Sequence, residues 1–242
     1  MKRKVLAVIP VRFGSTRFPG KPLALIAGKP MIQRVIEGVR VCRSIDRVIT
    51  ATDDNRIFET VRALGAEAVM TSPDHASGTE RVAEVAAALD YPVVLNVQGD
   101  EPLVDRAALD GLAEALQDHR LPMASVMARI EDVSAAADPN RVKVVVDASG
   151  HALYFSRALI PAGASDFFFQ HVGLYGYQRD FILRFGRLPL SRLEQIERLE
   201  QLRVLENGFR IRMIEIPRPT LSVDVPEDIM RVEKFLKESG SR

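Results

Sequence analysis

The chain has 242 residues, 33 Lys and Arg against 32 Asp and Glu, and 47% hydrophobic residues, the composition of a globular chain that needs no staples. A formal net charge of +1 excludes a bulk nucleic-acid binder, and the single Cys42 excludes an intramolecular disulfide or a multi-cysteine zinc site. No apolar run approaches the roughly 20 residues of a membrane span, and the opening stretch, broken by Pro10 and Arg12, reads as a strand of a cytoplasmic protein rather than a signal peptide.

The first half alternates strands with helices. Val5–Val11 is a continuous β-rich apolar run, the pattern of a strand covered on both faces. A loop over 12–21 follows, and Pro30 opens an amphipathic helix to about residue 41. Arg47–Thr52 reads as a second strand, and Asp53 or Asp54 caps a helix that Gly65 closes. After a short strand at 67–70, Ser77-Gly78-Thr79-Glu80 forms a capping box that starts a helix to about residue 89. The apolar run 92–97 leads into Gln98-Gly99-Asp100-Glu101-Pro102. This alternation implies βαβ units and a doubly wound, mostly parallel α/β sheet.

The second half changes character. Met123–Ile130 and 142–147 read as strands, 153–155 and 172–177 as shorter ones, 210–216 as a late strand and 226–236 as a terminal helix. The stretch 192–205 reads as one helix with Leu193, Ile196, Leu199, Leu202 and Leu205 three apart. That spacing drifts about 60° per step, so the apolar face wraps round and needs cover on more than one side. The expectation is a single domain over 1–242 with an inserted or appended lobe near 130–205.

The most informative segment is Arg12-Phe13-Gly14-Ser15-Thr16-Arg17-Phe18-Pro19-Gly20-Lys21-Pro22. It follows the first strand, and doubly wound sheets bind ligands beyond the strands' carboxyl ends. Arg12 and Arg17 can fork onto phosphate oxygens, Lys21 adds a point charge, and Gly14 and Gly20 let backbone N–H groups approach. A dinucleotide fingerprint is absent, which excludes a dehydrogenase. A Walker loop is absent too, because Pro22 stands where its magnesium-binding hydroxyl would be. Any magnesium is therefore held elsewhere. Taken alone, the loop also fits a solvated basic turn. Asp100, at the end of a buried strand, and Asp224, before the terminal helix, can converge on a hard divalent cation. A helix cap is the competing reading of Asp224. A nucleotide sensor without chemistry would not need the pair.

Together the motifs carry a resemblance. Pro10-Val11-Arg12, Ser15-Thr16-Arg17, Pro19-Gly20-Lys21-Pro22, Ser77-Gly78-Thr79-Glu80-Arg81, Gln98-Gly99-Asp100-Glu101-Pro102 and Tyr154-Phe155-Ser156-Arg157 are similar, in order, to the 3-deoxy-D-manno-octulosonate (Kdo) cytidylyltransferases. So are 171–177, 199–203 and 224–228, which extends the resemblance over nearly the whole chain. The opening loop is shared with CMP-sialate synthetases. The resemblance implies a Rossmann-like nucleotidyltransferase fold whose smaller lobe serves sugar binding and dimerisation. It implies the reaction CTP + Kdo → CMP-Kdo + diphosphate, with Mg2+, in a homodimer that feeds lipopolysaccharide synthesis. It places Arg12, Ser15, Arg17, Lys21, Ser77, Gly78 and Arg81 on the nucleotide, and Asp100 and Asp224 on the metal. Arg12, Arg17, Lys21 and Asp100 then carry the catalysis, while Gln98, Arg157, His171, Tyr175, Glu200 and Gln201 line the sugar-acid pocket.

Without the resemblance, His171 reads equally as a hydrogen-bonded structural histidine, Glu200 and Gln201 as surface, and Ser77 as a cap. Phe13, Phe18 and the short stretch 161–170 depart from the family pattern and leave 8-amino-Kdo and sialic acid as alternative acids.

Overall fold

The computed structural model describes residues 2–14, 17–164 and 166–239. Strand β1 (Val5–Val11) is buried throughout. Its side chains alternate between two apolar clusters, Val5, Ala7 and Ile9 in one, Leu6 and Val8 in the other. One strand thus feeds a core on each face of the sheet.

From β1 the chain makes a 3₁₀ turn at Lys21–Leu23 and a short hairpin, β2 (Leu25–Ile26) with β3 (Lys29–Pro30). There follow α1 (Met31–Arg40), β4 (Arg47–Thr52), α2 (Asn55–Ala63), β5 (Ala68–Met70), α3 (Gly78–Ala87) and β6 (Val93–Asn96). Next come α4 (Arg106–Ala115), β7 (Met123–Ile130), α5 (Val133–Ala137), β8 (Lys143–Val146), β9 (Ala152–Ser156) and β10 (Phe168–Gln178). The chain ends with α6 (Arg179–Phe185), α7 (Arg192–Glu197), α8 (Gln201–Glu206), β11 (Ile211–Ile216) and α9 (Glu227–Ser239).

The main sheet runs β11-β7-β10-β6-β1-β4-β5. Only β10 is antiparallel to its neighbours in this row. Residues of α1, α2 and α4 cover one face, and residues of α3 and α6 the other. The doubly wound, mostly parallel architecture expected from the strand–helix alternation is present.

The chain leaves β1 towards β4 and β5 and returns on the other side at β6, so the strand order reverses between β1 and β6. That reversal opens the crevice in which such sheets bind ligands. Pairing of β1 with β6 stops at Val8, whose carbonyl accepts from Val97. Alternate residues share a side, so the missing N–H of Pro10 faces the gap left where β6 has ended. A proline is tolerated there because no ladder bond is lost.

The single helix expected over 192–205 is two helices. Arg198 adopts a left-handed conformation (φ 55°) that ends α7, and α8 starts at Gln201. Three-residue spacing cannot hold one face on a straight helix. The break resolves this by burying Leu199 and Leu202 while leaving Ile196 exposed. The ion pair of Arg203 with Glu194 (2.5 Å) clasps the two helices together. Helices α4, α5 and α6 lie where the sequence reading places no element.

Residues 143–156 form a hairpin whose β8 strand joins the first residues of β10. Val144, Phe155, Leu199 and Leu202 share the apolar cluster of Leu6 and Val8, so this part of the chain packs on the main core. Among the described residues, no helix is long and apolar enough to cross a membrane.

Candidate active site

A cleft of about 280 Å3 opens over the carboxyl ends of β1 and β6. The loop after β1 contributes Arg12, Arg17 and Lys21, and the approach to α3 contributes His75, Ser77, Gly78 and Arg81. Gln98, Gly99 and Asp100 come from the loop after β6, and Asp224 precedes α9. Ser15 lies outside the described residues. At Gly99 a Cβ would stand 2.1 Å from Val11 Cγ1, so the β6 loop crosses the end of β1 only because a glycine is there.

The loop cations and the two aspartates meet. Lys21 Nζ lies 2.7 Å from Asp100 Oδ2, 2.8 Å from the Val223 carbonyl and 3.9 Å from Asp224 Oδ1. Arg17 holds Asp224 at 2.7 Å, and the Val223 amide donates to the Asp100 carbonyl at 2.9 Å. Convergence across the crevice is thus built into the backbone. The capping alternative for Asp224 fails, because Asp228 takes the amides of residues 224 and 225 while the Asp224 carboxylate faces the cations. No group of three or more acidic, histidine or cysteine ligands occurs among the described residues. Two carboxylates alone fit a hard divalent ion that completes its oxygen shell with water and phosphates.

At α3 the expected cap forms, Ser77 Oγ accepting from the Glu80 amide (3.2 Å), while Glu80 reaches back one residue further than a capping box does, to the amide of Ala76 (2.7 Å). Arg81 is buried, its guanidinium held by Asp53 at 2.7 Å and by the Thr71 hydroxyl. It fixes the start of α3 to the β4 and β5 strand ends. Gln98 lines the cleft and donates to Asn96 (3.2 Å).

The remaining sugar-side candidates do not line this cleft but gather beside it. A register shift in β10 between Val172 and Tyr175 leaves the rings of His171 and Tyr175 in contact, 5.4 Å apart. Ser125 donates to the Leu174 carbonyl (2.9 Å), so it accepts from His171 Nε2 (2.8 Å), leaving Nδ1 to accept from Gln201 (3.4 Å). Burial pushes the His171 imidazole down to about 3, which keeps it neutral, and raises the Tyr175 phenol. Glu200 is raised by burial against hydrogen bonds from Thr79 and Ser77, which ties this cluster to the first turn of α3. Arg157, at the end of β9, is anchored by main-chain carbonyls of Glu197 (2.9 Å) and Pro139 (3.1 Å).

Three residues escape sequence reasoning. His75 sits in the cleft wall and pairs with Glu84; its place two residues before the capping box is its only local signal. Glu101 is buried with Oε2 unpartnered, and burial with the neighbouring Asp100 pushes it up to about 8. Lys143 is fully buried, which no sequence pattern announces.

The sequence matches the profile of the cytidylyltransferases over residues 6–214. It is 50% identical to the 3-deoxy-manno-octulosonate cytidylyltransferase of Solibacter usitatus, over 99% of this chain and 97% of that one. The corresponding protein of Syntrophotalea carbinolica is 49% identical, over 96% of this chain and 98% of its own. A solved structure of a CMP:2-keto-3-deoxy-manno-octonic acid synthetase complexed with CTP superposes with a TM-score of 0.93 at 40% identity, covering 98% of this chain and 99% of that one. The chain belongs to the cytidylyltransferase family, among the 3-deoxy-manno-octulosonate cytidylyltransferases.

Proposed function

We propose that this chain catalyses CTP + Kdo → CMP-Kdo + diphosphate, in the cytoplasm, and so supplies an activated sugar for lipopolysaccharide synthesis. The observation that carries the reading is the meeting of a three-cation loop with Asp100 and Asp224 over the reversal point of the sheet. Arg12, Arg17 and Lys21 bind the triphosphate. Ser77 and Gly78 approach the nucleotide at the α3 N-terminus, with Arg81 as a fixed wall. Asp100 and Asp224 would hold Mg2+ in the place that Lys21 now shares with them. When bound, the ion supplies neutralisation of the charge developing on the phosphates and lowers the pKa of the attacking hydroxyl.

The anomeric hydroxyl of the sugar acid attacks the α-phosphorus in line and gives up its proton to solvent as the α–β phosphoanhydride bond breaks, and the loop cations receive the departing diphosphate. The acid's carboxylate sits on the same carbon as that hydroxyl, so it must be neutralised close to the phosphates. Arg157 supplies the planar fork for it. Gln98, Tyr175 and Glu200 read the sugar hydroxyls, and His171 with Gln201, bonded to each other, shapes the wall of the sugar pocket. The segment 130–205 also serves dimerisation, supported by Leu153 and Ile196 standing 60% and 61% exposed; sedimentation of Ile196→Asp as a monomer tests this.

Diphosphate release, measured with each nucleoside triphosphate crossed against Kdo, its 8-amino analogue and sialic acid, tests the reaction. The highest kcat/KM is expected for CTP with Kdo. Preference for another acid overturns the substrate, and no release with any pair overturns the activity.

A further inference from the structure

Arg157 is held from two sides by groups that lie in neither the cleft nor the sugar-side cluster. Lys143 is 0% exposed, and its Nζ donates to the carbonyls of Asp138 (3.0 Å), Arg141 (2.5 Å) and Arg157 (2.7 Å). An ammonium has three N–H donors, and here each meets a main-chain carbonyl. The loop 138–141 so tied also presents the Pro139 carbonyl to the Arg157 guanidinium at 3.1 Å. On the other side stands Glu197, the last residue of α7. Its carboxylate accepts from the Ser156 hydroxyl (2.7 Å) and the Arg157 amide (2.8 Å), and its carbonyl accepts from Arg157 Nε (2.9 Å). The left-handed turn at Arg198 ends α7 here, and beyond it Gln201 reaches His171.

The distribution of charge in this arrangement matters. The Glu197 carboxylate takes the main-chain N–H of residue 157, while the guanidinium meets only neutral carbonyls. Two of its five N–H donors are used in this way, and although its charge helps to hold the Glu197 carboxyl below its usual range, no carboxylate oxygen takes a guanidinium N–H, so the remaining donors stay open. An arginine fixed by neutral acceptors keeps its charge for an incoming anion, with its rotamer already chosen. We propose that Glu197 and Lys143 are positioning residues that hold Arg157 in the orientation in which it grips the carboxylate of the sugar acid. The proposal rests on the assignment of Arg157 to that carboxylate.

Steady-state kinetics with each substrate varied, on Arg157→Lys, Glu197→Ala, Glu197→Gln and the double variant Arg157→Lys with Glu197→Ala, tests it. Glu197→Ala is expected to raise KM for Kdo about tenfold and leave KM for CTP within twofold. Glu197→Gln, which keeps one acceptor oxygen, recovers part of that loss. Added to Arg157→Lys, Glu197→Ala changes the Kdo KM by less than a further twofold, because its effect passes through Arg157. If Arg157→Lys raises KM for Kdo and neither Glu197 variant does, the positioning role is overturned while the assignment of Arg157 stands. Independent, multiplying effects overturn it in the same way. If Arg157→Lys leaves KM for Kdo unchanged, the Arg157 assignment falls, and the proposal with it. Should Glu197→Ala fail to fold, Glu197→Gln and Lys143→Met carry the same comparison, with KM for CTP reporting an intact nucleotide cleft.

Discussion

On the loop side of the site, Arg17 and Asp224 meet at 2.7 Å with side chains 62% and 44% exposed. On the β10 side, His171 and Gln201 meet at 3.4 Å with the residues 8% and 3% exposed. The first pair is charged and hydrated, and such a pair contributes little to stability, about 0–1 kcal/mol. It is free to exchange partners when phosphates arrive. The second is neutral and dry, with each ring nitrogen of His171 already bonded, so its geometry is set before a ligand binds. One side of the site recognises by charge and the other by shape. Substitutions on the loop side should therefore cost turnover and spare stability, and those on the β10 side should register in stability as well.

The aspartates give the largest expected effect. Asp100→Asn or Asp224→Asn removes a hard ligand charge and is expected to lower turnover on the order of 10³-fold. The melting temperature should stay within a few degrees, since Arg17 lies at a hydrated surface and Lys21 keeps the Val223 carbonyl as an acceptor. Turnover across a magnesium titration, with a thermal melt alongside, checks both. Near-wild-type turnover would reduce that aspartate to a partner of the loop cations.

Arg17→Ala and Lys21→Ala come next, at about 10²-fold in kcat/KM, or about 2.7 kcal/mol of transition-state stabilisation. Lys21 adds a sharper test. Its ammonium stands between three oxygens of Asp100, Val223 and Asp224, where a metal ion would compete with it. Lys21→Met is therefore expected to tighten Mn2+ binding in the absence of CTP, read by electron paramagnetic resonance. Unchanged or weaker Mn2+ binding would show that the lysine does not screen the aspartates.

How far each side is legible in the sequence follows from the same contrast. The loop side is written locally: three cations among glycines after an apolar strand, and an aspartate where a buried run ends. Its convergence on Asp224 is not written locally: β11 lies at the far edge of the sheet, and the chain beyond it returns to the β6 loop through the bond of the Val223 amide to the Asp100 carbonyl. The β10 side is assembled from residues 125, 157, 171, 197 and 201, far apart in the chain, and local pattern shows none of their contacts. Only the family resemblance singled out Arg157, His171 and Gln201, while Lys143 and Glu197 had no signal at all. The turn at Arg198 is hidden for a related reason, because no glycine marks its left-handed backbone. Helix α4 is a plainer omission, since Asp105 caps it through the Ala108 amide at 3.0 Å.

The β10 side is probed by pH. His171 titrates near 3 in the folded chain against an ordinary value of about 6.5, so between those values the unfolded chain binds the extra proton. Its contribution to stability is complete above about pH 6.5 and is lost as pH falls towards 3, by up to about 1.4 kcal/mol per pH unit. Urea midpoints between pH 4 and 7 should show this slope, and His171→Gln should flatten it whatever its own cost. An unchanged slope would place the histidine in water, contrary to its bonding.

The smallest expected effect lies under the loop. The Phe13 ring packs against Gly20, where a Cβ would stand 3.0 Å from Cζ, and the Arg56 guanidinium covers the ring at 3.3 Å from its centroid. Gly20 has a positive φ of 72° and donates its amide to the Phe13 carbonyl at 3.0 Å, so ring and backbone close the loop together. Arg56 is itself oriented by Asp54, the cap of α2. It therefore links the β4–α2 junction to the phosphate-facing loop without reaching the cleft. Cation–π contacts at exposed sites contribute about 0.5–1 kcal/mol. Arg56→Ala is accordingly expected to raise KM for CTP about two- to fivefold, with kcat and KM for Kdo unchanged. Arg56→Lys, which keeps the charge but not the flat stack, should fall between. A fall in kcat at saturating CTP would mean that the stack orders the transition state and not merely the open loop, and would move Arg56 into the charge-reading side of the comparison.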